Sequence, residues 1–383
     1  MKTLQLVPAM EQGGVERGVV EMNRVIVGAG WENVVVSAGG RLAEQIEADG
    51  GRHVKASVKS KNPLTFFTRA AALRRILMAE RPDAVCAHSR VPAWLFRWAN
   101  RGLGIPWITF AHGANSVSRY SKVMTAGDLT VTPSGYIADY LKAAYGIRDE
   151  RIRVIPRAID RVRFDTAKLD AAFVAEKRAE WKTDGFRVVM GLGRITQLKG
   201  YDMLILALER LPADHKLVIV GEAEELRKDV EEELRALVKR LKLEERVVFA
   251  GNQQKVAECL SIADVVVSAN VRKPEAFGRS MAEALAMGRP VVARAFGGAL
   301  DVVRDGVDGV LVREPQGCGC GCSCGGRATD WPGLFAAAIA KTAQMRFGDL
   351  RAQALERFSF EKMATDSLAV YREVVAMRKE VAK

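Results

Sequence analysis

The sequence predicts an α/β protein of two doubly wound domains, each a parallel sheet covered by helices on both faces. Three observations carry this. The chain has 383 residues, which fits two domains of roughly 100–200 residues each. Short β-branched apolar runs alternate with amphipathic helical patterns, as strands buried on both faces require. Glycines and short loops fall at the ends of those runs, where a crossover fold needs its turns.

The elements follow in order. TLQLV (3–7) reads as a strand, then a Gly-rich turn, then a helix from Val15 to Gly28. NVVVSAG (33–39) is a second strand, and Leu64–Ala79 a helix carrying Arg69, Arg74 and Arg75. DAVCAH (83–88), WITFAH (107–112) and LTVTPS (129–134) are further strands, and Arg151–Pro156 begins a connection. AIDRVRFD (158–165) and the charged stretch to Asp184 read as a linker and a first helix. A second series opens with RVVMGLGR (187–194) and continues with KLVIVG (216–221), RVVFAG (246–251), DVVVSA (264–269) and RPVVAR (289–294). A final helix, Ser359–Ala382, has no strand after it. The expected domains are therefore 1–165, 166–358 and a helix, 359–383, crossing back to the first domain.

Apolar residues make up 49 % and charged residues 27 %, the balance of a globular protein. MKTLQLVPAM reads as a strand and loop rather than a secretory signal, and no apolar run reaches the ~18 residues of a membrane span. A cytoplasmic protein, or one at the cytoplasmic face of the inner membrane, is expected. Net charge is +12, and Lys55–Arg101 alone holds ten basic residues against Glu80 and Asp83. Such a field attracts anionic lipid or a phosphorylated partner. Phe66 and Phe67, and Trp94, Phe96, Arg97 and Trp98, set aromatic rings among these cations, a composition suited to an anionic membrane surface. Nucleic acid is a poorer fit, because no binding motif accompanies the charge.

Ligands of doubly wound sheets bind outside the carboxyl ends of the strands, so the loops there carry the chemistry. PEAFGRSMAEALAMGRPVVA (274–293) follows the strand DVVVSA. Phe277, Gly278 and Arg279 mark the start of a helix, whose open N–H groups and positive dipole end make an anion site. Glu275 sits just before that helix and Glu283 lies two turns into it. Eight residues at ~1.5 Å rise span about 12 Å, suiting the sugar and the ribose of one elongated ligand better than a shared proton transfer. GLGRITQLKG (191–200) places Arg194 and Lys199 at another strand end, two cations able to stabilise a leaving diphosphate without a metal. It is neither a Walker loop nor a dinucleotide fingerprint. Gly13 and Gly14, after the first strand, allow close backbone approach, and the loops near Gly221–Glu222 and Asn252 follow strands where a nucleotide base would lie. His112 falls at a strand end before Gly113. The bland alternatives are an acidic helix start, a solvated basic turn, an ordinary glycine turn and a hydrogen-bonded structural histidine. No D-x-D, H-E-x-x-H or G-x-S-x-G occurs, so metal-dependent transferases and hydrolases lack motif support.

Taken in order and spacing, GGVER, HG, GRITQLKG and EAFGRSMAE resemble the retaining glycosyltransferases of family 4 over nearly the whole chain. The resemblance implies a GT-B fold, two Rossmann-like domains facing a central cleft. It implies metal-independent transfer of a hexose, such as mannose or glucose, from a GDP- or UDP-linked sugar. No cofactor is implied. Arg194 and Lys199 would hold the diphosphate, Glu275 the donor-sugar hydroxyls and Glu283 the ribose. Gly14 would border the phosphates, the backbone of Phe277 and Gly278 would touch sugar and phosphate, and His112 would face the sugar near its reacting carbon. The leaving phosphate would help take the acceptor proton on one face of the sugar, with no protein nucleophile.

GGVERG, SAGGRL, SKNPLT and SRVPAW are similar to bacterial lipopolysaccharide core transferases, which implies an anionic glycolipid or lipopolysaccharide-core acceptor held by the basic first domain. Arg157 and Ala158 in IPRAID (155–160) depart from the family's commoner Asn-Gly. A sugar-nucleotide epimerase, another GT-B enzyme, or a non-catalytic basic binding protein are the alternatives, separable by turnover with and without acceptor. Cys318, Cys320, Cys322 and Cys324 alternate with small residues in GCGCGCSCGG (317–326), which fits either low complexity or a thiolate metal site.

Overall fold

The computed structural model describes residues 1–11, 13–224, 227–315 and 329–381. The chain divides into two compact units, Met1–Arg157 with Phe360–Lys383, and Ala158–Ser359. The division falls before the expected residue 165. Ile159 and Phe164, read as linker, are buried beside Trp181 in the second unit's core, and the Ile159 N–H donates to the Phe358 carbonyl at 2.9 Å.

The first unit contains β1 (Lys2–Leu6), α1 (Gly14–Gly28), β2 (Glu32–Ser37), α2 (Ala43–Ala48), β3 (Arg52–Lys55), α3 (Phe66–Glu80), β4 (Ala84–Ala87) and α4 (Arg90–Ala99). It continues with β5 (Trp107–Phe110), β6 (Leu129–Thr132), α5 (Gly135–Tyr145) and β7 (Ile152–Val154). Its seven strands run in the order β3-β2-β1-β4-β5-β6-β7, and every pairing is parallel. β7 replaces the start of the expected connection at 151–156. β3, which the sequence reading passed over, is a half-exposed edge strand with the polar sequence RHVK. The helix expected to begin at Leu64 begins at Phe66, after a 3₁₀ turn over Pro63–Thr65 that the Asn62 side chain caps.

The two faces of this sheet differ chemically. Leu4, Leu6, Val34, Val36 and Val85 pack with Leu73 and Leu77 of α3 and with Phe96 of α4. The alternate residues Thr3, Gln5, Asn33 and Ser37 are also buried, so the opposite face sets polar groups among apolar ones such as Val35, and those polar groups must find hydrogen bonds inside the protein.

The second unit contains α6 (Ala171–Glu180), β8 (Arg187–Leu192), α7 (Tyr201–Glu209), β9 (His215–Val220), α8 (Lys228–Arg240), β10 (Val247–Gly251) and α9 (Val256–Ile262). It continues with β11 (Val265–Ser268), α10 (Arg279–Ala286), β12 (Val291–Arg294), α11 (Ala299–Val302), β13 (Gly309–Val312), α12 (Trp331–Thr342) and α13 (Leu350–Arg357). Its six strands run β10-β9-β8-β11-β12-β13, again all parallel. Alternate strand residues feed two cores. Val188, Met190, Val218 and Val266 lie on one face with Trp181 and Phe277. Val189, Leu217, Ile219 and Val267 lie on the other with Phe335. Burial on both faces explains why these strands read as continuous apolar runs.

The last helix, α14 (Phe360–Val381), belongs to the first unit, where Arg153 of β7 pairs with Glu373. No helix among the described residues is long and apolar enough to cross a membrane. In each unit strand order reverses once, between β1 and β4 and between β8 and β11. Those are the points where doubly wound sheets open a ligand crevice.

Candidate functional site

At the reversal point of the second unit, the loops after β8 and β11 are tied together. Gly200 has φ +68°, and a Cβ there would sit 2.0 Å from the Ala269 carbonyl oxygen, so the loops approach as closely as backbone allows. Just before Gly200, Lys199 forms an ion pair with Glu275. Asn270 donates to the same carboxylate oxygen, Oε1, at 3.0 Å. The other oxygen, Oε2, lies 3.4 Å from where a Cβ on Gly278 would stand, so it faces the start of α10. Tyr201 backs the loop by donating to the Gly193 carbonyl at 2.7 Å. Burial, with the Glu275 charge adding to it, pushes the Tyr201 phenol above its ordinary range and keeps it a donor.

Gly278, at φ +99°, is the N-cap of α10, which begins only at Arg279. Glu275 therefore sits in the loop, and Glu283 about one turn into the helix. The 12 Å spacing expected from helical rise does not apply, because half of the interval is not helix. Glu283 instead pairs with Arg279 at 3.8 Å across one turn. Phe277 is buried, edge-on to Phe358 at 5.5 Å between ring centres, and anchors the loop. Arg194 is mostly exposed and pairs with Glu224, so the two expected cations have different carboxylate partners. Gly221, at φ +141°, ends β9 against the Gly193 carbonyl. Asn252 follows β10 in an exposed loop.

In the first unit, Gly13 is the N-cap of α1, and a Cβ on Gly14 would meet nothing within 4 Å. Nearby is a pocket of about 240 Å³, lined by Pro8, Glu16, His88, Arg90, His112 and Asn115 among others. His112 stacks on Phe110 at 4.3 Å and on His88 at 5.2 Å. Its Nε2 lies 3.0 Å from His88 Nδ1, and its Nδ1 lies 2.6 Å from Arg157 Nη2. His88 Nε2 reaches Gln5 Oε1 at 2.9 Å. Burial, with help from the Arg157 charge, lowers the His88 imidazole to about 3. Burial, then Arg157 and His88, holds His112 well below the usual histidine range. Both rings are neutral near pH 7, so His112 offers no acidic proton there. The Arg157 guanidinium also stands 4.7 Å from the Phe110 ring centre, and a Cβ on Gly18 would collide with it.

The basic aromatic surface differs from its expected form. Arg69 is buried and donates to the Ser60 and Asn62 carbonyls, and Arg74 donates to those of Ala99 and Arg101. Both stabilise backbone rather than face solvent, leaving Arg75 as the outward member of that trio. Phe96 is core. Leu64 and Phe67, 90 % and 63 % exposed, carry the apolar surface instead. Phe66, Phe67 and Trp98 form an edge-to-face cluster, with Arg101 lying 3.5 Å over the Trp98 ring.

Cys86 and Cys259 are buried, and burial raises both thiols to about 12. Cys318, Cys320, Cys322 and Cys324 lie outside the described residues. Among the described residues no three His, Cys, Asp or Glu side chains cluster as metal ligands would. Sequence reasoning missed Gln5, His88, Arg157 as a side-chain contact, and Asn270. One signal was available: DAVCAH ends in histidine at a strand terminus, as WITFAH does.

Comparison with known proteins places this geometry in a family. The sequence model described as "Glycosyltransferase Family 4" matches residues 12–163, and that described as "Glycosyl transferases group 1" matches residues 174–317. A D-inositol 3-phosphate glycosyltransferase of Acidothermus cellulolyticus is 30 % identical over 352 residues, 83 % of this chain and 73 % of the relative. Another, from Xylanimonas cellulosilytica, is 31 % identical over 265 residues, and the match spans 67 % of this chain but only 60 % of that relative. The crystal structure of a glycosyltransferase from Rickettsia africae superposes with a TM-score of 0.85 at 26 % identity, covering 98 % of each chain. A chain with these two reversal points, this paired Lys and Glu, and these relatives belongs to the family 4, group 1 glycosyltransferases and has their GT-B fold.

Proposed function

We propose that this glycosyltransferase moves a hexose, with retention and without a metal, from a nucleotide-diphosphate sugar to an anionic lipid-linked or lipopolysaccharide-core acceptor. The observation that carries the donor half is the Lys199–Glu275–Asn270 cluster in front of α10. Glu275 Oε1 is held by two donors while Oε2 faces the helix start, where the N–H groups favour a phosphate. A carboxylate fixed in this way can accept sugar hydroxyls. Lys199 has three donor hydrogens, so it can hold Glu275 and a diphosphate oxygen together. Arg194 is a second cation for that diphosphate, Glu283 takes the ribose, and the loops at Gly221 and Asn252 take the base. Gly13 and Gly14 give the first unit's close approach to phosphate and acceptor, and His112 serves the sugar.

In the reaction the bond from the anomeric carbon to the diphosphate oxygen breaks. A bond to the acceptor oxygen forms on the same face, and the acceptor proton passes to the departing phosphate. Charge grows on the diphosphate as the bond breaks, and fixed cations stabilise it most at that stage. An anionic acceptor is supported by the +8 excess over Lys55–Arg101 and by relatives named for a phosphorylated inositol. Exposed Leu64 and Phe67 beside Arg75, Arg97 and Arg101 support seating on an anionic inner-membrane face.

The test is hexose transfer to lipid A–Kdo acceptors from GDP- and UDP-sugars. Glu275→Ala should lower transfer by about 10²–10³-fold with its thermal transition retained. Wild-type-like transfer by that variant sinks the role of Glu275. Treatment with EDTA should leave the rate unchanged, and a loss restored by magnesium refutes metal independence. Sugar-nucleotide conversion without acceptor incorporation would indicate an epimerase instead.

A further inference from the structure

His112 does not stand alone. Arg157 Nη2 contacts its Nδ1 at 2.6 Å, its Nε2 contacts His88 Nδ1 at 3.0 Å, and His88 Nε2 contacts Gln5 Oε1 at 2.9 Å. Gln5 Nε2 donates to Asn33 Oδ1 at 3.4 Å, Asn33 Nδ2 to Asn23 Oδ1 at 2.8 Å, and Asn23 Nδ2 to the Ile46 carbonyl at 3.1 Å. Six hydrogen bonds therefore run from a guanidinium to a backbone carbonyl through the polar face of the first sheet.

The ends of this chain fix its direction. A guanidinium only donates, so His112 Nδ1 must be bare and its Nε2 must carry the proton. His88 then accepts at Nδ1 and carries its own proton on Nε2, which Gln5 Oε1 accepts. At the far end a carbonyl only accepts, which fixes both asparagine amides the same way. Reversing any member would place two donors or two acceptors face to face in a buried site, a costly arrangement.

We propose that His88 is a positioning residue of the transferase: gripped by Gln5 behind it, it accepts from His112 Nε2 and locks the ring into one orientation, while Arg157 sets the tautomer. With Arg157 on one ring nitrogen and His88 on the other, His112 has no nitrogen left for proton transfer. It works as an oriented, uncharged wall of the pocket and not as an acid or a base. Gly18 takes part indirectly, because any side chain there would occupy the space of the Arg157 guanidinium. The charged or titratable groups around the lock are Arg157 from the segment after β7, Cys86 of β4 and Tyr371 of α14 on the side of Arg157, and Glu16 of α1 and Arg90 of α4 across the pocket. This inference rests on the reading that His112 serves the sugar, but the lock can be measured without any turnover.

The chain has four histidines, so long-range nitrogen–proton NMR spectra of histidine-labelled protein resolve each ring. His88 and His112 should both show the neutral Nε2–H pattern, unchanged between pH 7.5 and 5.5. In His88→Phe, which keeps a stacked ring but no bond to His112, Arg157 still holds the tautomer, but the His112 Nε2–H signal loses its acceptor and should move upfield and broaden as the ring loses its fixed orientation. Transfer kcat should fall by about 10- to 100-fold with a smaller change in donor KM, the scale expected from misplacing a group near the reacting atoms. His88→Gln has an amide oxygen to accept from His112 and should recover at least half of the lost rate. If His88→Phe does not fold, the wild-type spectra and His88→Gln still decide. A wild-type His112 that titrates near 6.5, or a His112 Nε2–H signal and rate unaffected by losing His88, overturns the proposal. Absence of transfer by the wild type would refute the functional reading while leaving the spectra to judge the lock.

Discussion

Two neutral histidines inside the first unit make its stability depend on pH in a range where carboxylates are silent. In the unfolded chain His88 titrates near 6.5, and in the folded chain near 3. Between these values the unfolded state binds the extra proton, so folding weakens as pH falls and recovers as pH rises. At pH 5.0 the loss from His88 alone is about 2 kcal/mol relative to pH 7.5. His112 and the half-buried His53 are lowered by burial too and add with the same sign. Carboxylates such as Glu80 and Asp308 are held below their ordinary values by arginine partners, so they lose their stabilisation only under more acid conditions. Since a domain is stable by only about 5–15 kcal/mol, the histidine effect is a sizeable share.

Cys86 in β4 and Cys259 in α9 give each unit its own reporter, because both thiols are buried. Labelling with an acid-active disulfide reagent along a urea gradient, read peptide by peptide, yields two unfolding midpoints. The Cys86 midpoint should fall by at least about 1 M urea between pH 7.5 and pH 5.0, taking a slope near 2 kcal/mol per M for His88 alone. In His88→Gln the fall should shrink by about 1 M, the share of His88 alone, leaving that of His112 and His53. A Cys86 midpoint that stays fixed, or a His88→Gln protein as acid-sensitive as the wild type, would refute the buried neutral state of His88.

Two further perturbations test other parts of the molecule. Gly200→Ala combines a left-handed backbone with a Cβ against the Ala269 carbonyl, and should destabilise the second unit by at least ~2 kcal/mol, seen as a lower Cys259 midpoint. An unchanged midpoint would mean that the loops after β8 and β11 are not held as described. The double change Leu64→Ser with Phe67→Ser should reduce sedimentation with phosphatidylglycerol vesicles by about tenfold at low salt, because both side chains are largely exposed and offer apolar area to the bilayer. Equal binding by the wild type and the variant would remove this surface from the membrane account.

The sequence displayed the strands whose residues are buried on both faces, because continuous Val and Ile runs such as DVVVSA have few other uses. It hid three edge strands: β3 and β7, with too few apolar residues to stand out from loop, and β13, whose apolar run GVLV is only four residues long. The reading of Glu275 and Lys199 as functional came from their place after strands. Their direct pairing was not legible, because 76 residues separate them and only the neighbouring of β8 and β11 joins them. The helix start was legible at Phe277–Arg279, but Glu283 was set two turns into the helix; left-handed Gly278 delays the first helical residue to Arg279 and leaves Glu283 one turn in. Arg69 and Arg74 look identical to solvent-facing arginines in sequence, and only the loops they cap reveal that they point inward. Gln5, Asn33 and Asn23 were invisible for a related reason. A buried polar residue announces itself only when its partners, here on two strands and a helix, are known.

The path of the chain between its two units also bears on how the protein is made. It leaves the first unit after Arg157 and returns at Phe360, so α14 is synthesised after every strand of the second unit. On the ribosome the second unit can close its cores while the first still waits for a missing piece. Until then Cys86 lacks its contact with Tyr371 of α14, and that side of the sheet stands open to chaperones, oxidants and neighbouring nascent chains. A stop codon just before residue 360 would thus strike the unit encoded first, and a fragment ending at Arg157 should be less soluble than its complete sheet suggests.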